Sequence, residues 1–392
     1  MLTTRDREII RSLAAEVADI AALPAQDETR ALWRALNGLR PARPMVTIDQ
    51  VCWNEMNVDD ELTPRCEHPV CREYEDALRR TLYQWRHCRV DMVVEPYIRV
   101  PKAIHSTGFG IQTEERIAVG DPTNSVVGHG YTNQLASDAD LDRLRTPVLI
   151  HDAAETARRL EVAHALFDGV LDVVEQGYDP YLSVWDPISA WMSVEGACLA
   201  LIDRPAFMAE LVRRMVSGYM TMLDQAEAEG LLCHSQSLIH CTGAYTDELP
   251  APGFDPAKPR TKDIWMFGLA QMFSTVSPAM FAEFEITPNL PLFRRFGLVY
   301  YGCCDPLDRK MAEVRQIPNL RKISMSPWVD EELGASEIRG AYVYSRKPNP
   351  ALLAWPSFDE AAAREHVRTT VEVCARHGCP LELIFKDIIV VQ

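Results

Sequence analysis

From Pro44 onward the chain alternates short β-rich runs with stretches of helical period, which confines it to folds built on a parallel sheet covered by helices. Eight runs read as strands: 45–51, 91–99, 181–186, 233–240, 298–303, 321–326, 341–346 and 381–387. Helical patterns fall at 64–86, 152–176, 188–200 with 204–229, 277–296, 306–316, 329–338 and 358–377. Eight strands with intervening helices predict an α/β fold, a (β/α)8 barrel of the TIM type. Residues 3–38 carry a helical period of their own, through Ile9, Ile10, Leu13, Ala14 and Val17 and then Ala31, Leu32 and Leu36. Residues 1–43 therefore read as a helical extension and 44–392 as the barrel domain. Long connections at about 100–150, 241–276 and 347–357 follow strands, where a barrel keeps its substrate-covering loops; the first contains a β-like pair near 106–112 and 115–119.

Charge excludes several partners. Forty Lys and Arg against 56 Asp and Glu leave a formal charge of −16, and no basic run offsets it, so nucleic acid and anionic membrane are not expected partners. No window approaches the roughly 20 apolar residues of a membrane span, and the first residues lack an apolar targeting core. Eleven cysteines at irregular spacing in so large a chain read as reduced thiols, so a cytoplasmic location is expected.

The sharpest chemistry lies in Leu298-Val-Tyr-Tyr-Gly-Cys-Cys-Asp-Pro306, where two thiols and a carboxylate end a short apolar run. In a parallel barrel that end is the catalytic face. Thiolate sulfur is a preferred soft ligand for Zn²⁺, so Cys303 and Cys304 are candidate metal ligands, and His240, ending the preceding strand, is a candidate third ligand or a general acid–base. Asp49, Asp305 and Lys386, at other strand ends, complete the candidate catalytic set. Trp53, Glu95, Trp185, Gln271, Ser326, Arg346 and Lys347 are candidate substrate contacts, with Arg346, Lys347 and Lys386 forming a cationic sector for an anionic group. Glu283 and Glu285 are weaker candidates as oxygen ligands, because their helix belongs on the barrel exterior.

Val276-Ser-Pro-Ala-Met-Phe-Ala-Glu-Phe284, Pro288 and the strand into Gly-Cys-Cys-Asp305 resemble a helix and metal-binding strand of the uroporphyrinogen decarboxylase superfamily. That superfamily includes the zinc-dependent cobalamin (corrinoid) methyltransferases. Asn319-Leu-Arg-Lys-Ile-Ser-Met-Ser-Pro-Trp328 and Tyr344-Ser-Arg-Lys-Pro-Asn-Pro350 resemble a branch carrying only the general family label. The methyltransferase strand ends His-x-Cys-Gly; here Gly302 stands at the His position, Cys304 at the Cys position and Asp305 at the Gly position. A further family Cys, at the end of the last strand, is replaced within Phe385-Lys386-Asp387. The Arg-rich loop of the decarboxylase branch is replaced by Gln50-Val-Cys-Trp-Asn-Glu-Met56, which argues against uroporphyrinogen decarboxylation.

The resemblance implies an enzyme that moves a methyl group between a small methoxy, thiol or similar substrate and a cobalamin carried by a partner protein, with Zn²⁺ held by Cys303, Cys304 and His240. It also implies homodimerisation. The alternatives are a metal-free decarboxylase or lyase acting on a carboxylated, tetrapyrrole-like substrate, and a non-catalytic corrinoid-binding accessory protein.

Overall fold

The computed structural model describes residues 2–124, 126–355 and 357–390. Helix α1 (Thr4–Ala21) starts at a reciprocal capping box between Thr3 and Asp6, which satisfies backbone donors the first turn leaves free. Its spaced residues Ile10, Ala14 and Val17 are buried against Leu78 and Leu82 of α3 (Pro69–His87) and Phe167 of the helix Ala153–Phe167. Between them, α2 (Pro24–Asn37) opens on a proline and buries Trp33 and Leu36.

Fourteen strands are described: β1 (Met45–Ile48), β2 (Tyr97–Pro101), β3 (Ile104–Ser106), β4 (Glu115–Ala118), β5 (Gly128–Tyr131), β6 (Leu149–His151), β7 (Asp172–Gln176), β8 (Leu238–Ile239), β9 (Thr242–Gly243), β10 (Trp265–Gly268), β11 (Leu298–Tyr301), β12 (Leu320–Met325), β13 (Val343–Arg346) and β14 (Leu381–Phe385). Six form one parallel sheet in the order β1-β14-β13-β12-β11-β10. A separate parallel pair, β2–β7, is linked toward β10 by the isolated bridges Tyr178–Leu232 and Tyr181–Phe267. The fold is thus mixed α/β around a parallel sheet, but among the described residues the sheet does not close by hydrogen bonds as a TIM barrel would.

Several expected strands lie elsewhere, for local reasons. Residues 91–95 are not strand: the Asp91 carboxylate binds Arg43 and the Val46 N–H, Pro96 lacks a donor, and β2 begins only at Tyr97. The run 181–186 leads into the helix Trp185–Met192; the true strand, β7, lies in residues read as helix, because the preceding helix stops at Phe167 before Gly169, which has φ +79°. Of 233–240 only the two residues of β8 pair, antiparallel to β9. The remaining strand of the sheet is β10, wholly buried inside what reads as a connection. The β-like pair of the first long connection is also rearranged, with β4 pairing to β5 and β3 to β6.

The expected helix 277–296 is interrupted. Ser277 caps it and Pro278 opens it, but Ala282–Ile286 forms a π-helical turn before Thr287–Phe293 resumes. The turn buries Glu285, whose carboxylate accepts from Tyr301 Oη at 2.9 Å and from Asn289 Nδ2 at 2.8 Å. Glu283, two residues earlier, is exposed.

Candidate functional site

The chain leaves β11 through Gly302, whose φ of +92° lies in the left-handed region; a Cβ there would come within 2.5 Å of Leu307 Cδ1. The turn puts Cys303 and Cys304 at the C-terminal edge of the sheet. Gln50 after β1, His240 and Cys241 between β8 and β9, and Asp387 after β14 also have positive φ, at 53°, 38°, 69° and 57°. Non-glycine residues held in that region are strained and cluster at functional sites.

Four of the candidate residues converge here. Cys303 Sγ lies 3.3 Å from His240 Nε2, 3.5 Å from Cys304 Sγ and 3.6 Å from Lys386 Nζ, and Lys386 Nζ lies 3.4 Å from His240 Nε2. Asp387 Oδ2 stands 3.9 Å from Cys304 Sγ. The His240 ring is stacked on Phe267 of β10, with centroids 3.8 Å apart, so its orientation is fixed by packing. Cys303 is buried, whereas Cys304 and His240 are half-buried and give the cluster its contact with solvent.

Beneath the thiol runs a polar column inside the sheet. Lys347 Nζ donates to Tyr300 Oη at 3.0 Å and also to Ser324 Oγ; Tyr300 Oη shares a 2.7 Å hydrogen bond with Ser345 Oγ; and Ser324 Oγ donates to the Cys303 carbonyl at 2.6 Å. Lys347 is buried with hydroxyl partners and no carboxylate bonded to it among the described residues, and its positive charge favours a thiolate at Cys303.

The ionisation of the cluster follows. The Cys304 thiol, bonding to the Cys303 sulfur, and then His240 and the Lys347 charge, pull the Cys303 pKa well below that of an ordinary thiol against the opposing effect of burial. Cys304 is pushed up, first by its bond to Cys303 and then by burial. Burial lowers the His240 pKa and favours the neutral ring. Burial also opposes charge on Lys386, but Cys303, Cys241 and Asp387 outweigh it and its pKa is raised. The result is a thiolate held by an ammonium and an imidazole.

A His–Cys–Cys zinc site does not suit this arrangement. Zinc would need the lone pairs of His240 Nε2 and Cys303 Sγ at about 2.0–2.3 Å, and the Lys386 ammonium already stands against both donors. Among the described residues no group of three or more His, Cys, Asp or Glu side chains is arranged to hold a metal ion.

The other candidates are dispersed. Asp305 is buried behind the loop, where it accepts the Cys303 N–H at 3.1 Å; its second oxygen has no partner among the described residues and burial raises its pKa, so it shapes the turn and does not face the mouth. Arg346 points to the opposite face of β13 from Ser345 and Lys347, and its guanidinium is held by Glu331 at 2.5 Å and by the Ser326 carbonyl, which removes Arg346 from the mouth; the buried Ser326 hydroxyl accepts the Trp328 N–H at 3.4 Å. Trp185 is buried edge-on against Phe273, and Gln271, itself exposed, starts a 3₁₀ turn. Glu95 is bound by Arg30 and Tyr245, both at 2.7 Å, on the α2 side. Asp49 lines a cavity of about 310 Å³ with Trp33, Leu78 and Cys241. Trp53 lines a larger cavity, of about 750 Å³, whose wall includes Asp387.

Tyr300 and Phe267 belong to the site but escaped the sequence reading, whereas Ser324 and Ser345 read there only as polar strand-end positions. The alternation of Tyr300, Gly302 and Cys304 marks Tyr300 as lying below the thiols once the strand is accepted. Phe267 had no such signal, because its strand was hidden in a connection.

No family model and no curated protein matches the chain. Among solved structures it is similar to a methyltransferase from Methanosarcina mazei, with 10% identity and a TM-score of 0.47, covering 93% of this chain and 94% of that one. At that distance the likeness transfers neither residues nor chemistry. No helix of the described residues is long and apolar enough to cross a membrane.

Proposed function

We propose that this chain is an enzyme that moves a methyl group between a small substrate and a cobalamin carried by a partner protein. The observation that carries the reading is the convergence of Cys303, His240 and Lys386 within 3.3–3.6 Å at the C-terminal edge of a parallel sheet, beside the cavity of about 750 Å³. The choice of a methyl group and a corrinoid rests on the motif resemblance of residues 276–306. In this reading the six-stranded sheet and the β2–β7 pair are the eight strands of an open barrel.

A corrinoid, when docked, supplies a nucleophile that takes a methyl group or a methylated cobalt that gives one. This chain's residues handle the substrate's other half. As the bond between the methyl carbon and its oxygen or sulfur breaks, the electron pair stays on the heteroatom, and the Lys386 ammonium donates a proton to it. His240, neutral and touching Lys386, returns that proton from solvent. The Cys303 thiolate keeps Lys386 charged and in place and accepts no methyl group. No step runs through zinc.

The cavity has room for a small substrate, but a corrinoid must stay on its partner and approach from outside. Exposed apolar residues in connections that follow strands fit such a docking: Tyr181 after β7, Trp328 after β12, Phe358 after β13 and Ile389 after β14.

The test is spectral. Cob(I)alamin is mixed with the protein and a panel of methoxy, methylthio and methylamine compounds, and formation of methylcobalamin is followed. Transfer with at least one donor, reduced about 100-fold or more in Lys386→Met, is expected. No transfer from any donor, with cobalamin binding retained, would leave the accessory-protein alternative; carbon dioxide release from a carboxylated substrate would favour the lyase.

A further inference from the structure

We infer that the cavity over the ends of β1 and β14 binds an uncharged, ring-bearing molecule with hydrogen-bonding substituents. The inference deepens the methyl-transfer reading, on which it rests for the position of the reacting centre.

The cavity, about 750 Å³, is lined by Gln50, Trp53, Asn54, Arg80, Asn124 and Asp387 among others. Its frame is built. The ends of the two strands stay paired past the sheet, through Asp49 N–H to the Phe385 carbonyl at 2.8 Å and Ile388 N–H to the Gln50 carbonyl at 3.0 Å. Gln50 and Asp387 are held there at positive φ. Asn124 fastens the long connection over the opening, donating to the Ile389 carbonyl at 3.0 Å.

Charge decides the ligand class. The cavity's cation, Arg80, is bound to Asp76 at 2.9 Å and lies 5.1 Å above the Trp53 ring, so it is neutralised and serves as a flat wall. At the inner end the Asp387 carboxylate shares the Lys386 ammonium, 3.5 Å away, with the Cys303 sulfur at 3.6 Å, so the wall, which carries both Asp76 and Asp387, keeps an excess of negative charge that opposes an anion. The hydrogen-bonding capacity left over is amide: neither Gln50 nor Asn54 has a side-chain partner among the described residues. Amides pair with hydroxyl and amide groups, and the indole gives a ring a surface to lie on. A carboxylate gains no counter-ion here.

Benzamide and benzoate differ little in shape and by a full charge, which makes them the probes. Saturation-transfer NMR titrations should show benzamide binding at least tenfold tighter than benzoate. Asn54→Ala and Trp53→Leu should each weaken benzamide at least fivefold, and Asp387→Asn should narrow the gap to benzoate. Benzoate binding as well as benzamide, benzamide affinity unchanged in both the Asn54 and Trp53 variants, or no benzamide binding at millimolar concentration would each overturn the inference. The cobalamin assay reads the other question separately: methyl transfer without this preference defeats the inference alone, and the preference without methyl transfer defeats the functional reading alone.

Discussion

Lys386 Nζ lies 3.6 Å from Cys303 Sγ, and the vicinal Cys304 Sγ lies 3.5 Å from the same sulfur. The contact shifts the two adjacent cysteines in opposite directions, lowering the Cys303 pKa and raising that of Cys304. Alkylation by iodoacetamide at varied pH, read by peptide mass, should find Cys303 reactive well below the usual thiol range and Cys304 resistant until much higher pH. Cys304→Ala removes the largest stabilising contact and should move the Cys303 profile upward by a unit or more, which is about 1.4 kcal/mol. An unchanged profile would show that the hydrogen bond between the sulfurs carries no weight.

Metal content follows from the same geometry. Because an ammonium stands 3.4 and 3.6 Å from two of the atoms that zinc would need, where it repels a cation, elemental analysis of the purified protein should find far less than one zinc per chain. Lys386→Ala should bind added zinc more tightly than the parent. About one zinc per chain in the parent, lost on Cys303→Ser/Cys304→Ser substitution, would reverse this conclusion and restore the His240, Cys303 and Cys304 ligand set.

Glu285, in the π-helical turn, offers a second pH signature. Burial raises its pKa to about 8. The folded chain then keeps a proton that the unfolded chain releases above the ordinary Glu value of 4.5, so the unfolded state binds fewer protons in that window. Stability from this group is full below about 4.5 and is lost as pH rises toward 8. Glu285→Gln should flatten that decline in urea midpoints measured from pH 5 to 8. An equal slope in the two proteins would show that Glu285 is ionised in the folded state.

Much of the sheet was legible because its strands are apolar, short and separated by helices of clear period: β1, β11, β13 and β14 lie within the expected runs, and β12 starts one residue before its run. The failures have physical causes. A fully buried strand such as β10 shows no alternation, and a Pro- and Gly-rich approach disguises it. At the end of β13 a one-residue step decides the face, so Lys347 reaches Tyr300 and Ser324 beneath the thiol while Arg346 is buried against Glu331, a distinction that a list of strand-end cations does not carry. The Cys303, His240 and Lys386 grouping could be read from strand ends. What could not be read was that the lysine would stand where a metal was expected.

The Lys322–Glu382 pair provides the last test, of how the sheet tolerates charge in its core. Both side chains are wholly buried, with Nζ 2.8 Å from the carboxylate. Lys322 also donates to Thr242 Oγ1 at 3.2 Å and the Gly243 carbonyl at 3.1 Å, and lies over the Trp33 and Trp265 rings. Thr242 in turn donates to Glu382 at 2.7 Å, but the other Glu382 oxygen is unpartnered among the described residues. A buried charge that loses its counter-ion is costly, whereas removing both charges is often neutral or better. Lys322→Met should therefore cost about 3–5 kcal/mol in urea denaturation, and Lys322→Met/Glu382→Leu should recover most of that. Because β12 and β14 flank β13, the pair spans the sheet that positions Cys303 and Lys386. If the double variant is stable but has lost the low-pH reactivity of Cys303, the buried ions set the electrostatics of the mouth; if reactivity survives, Lys347 and Lys386 suffice.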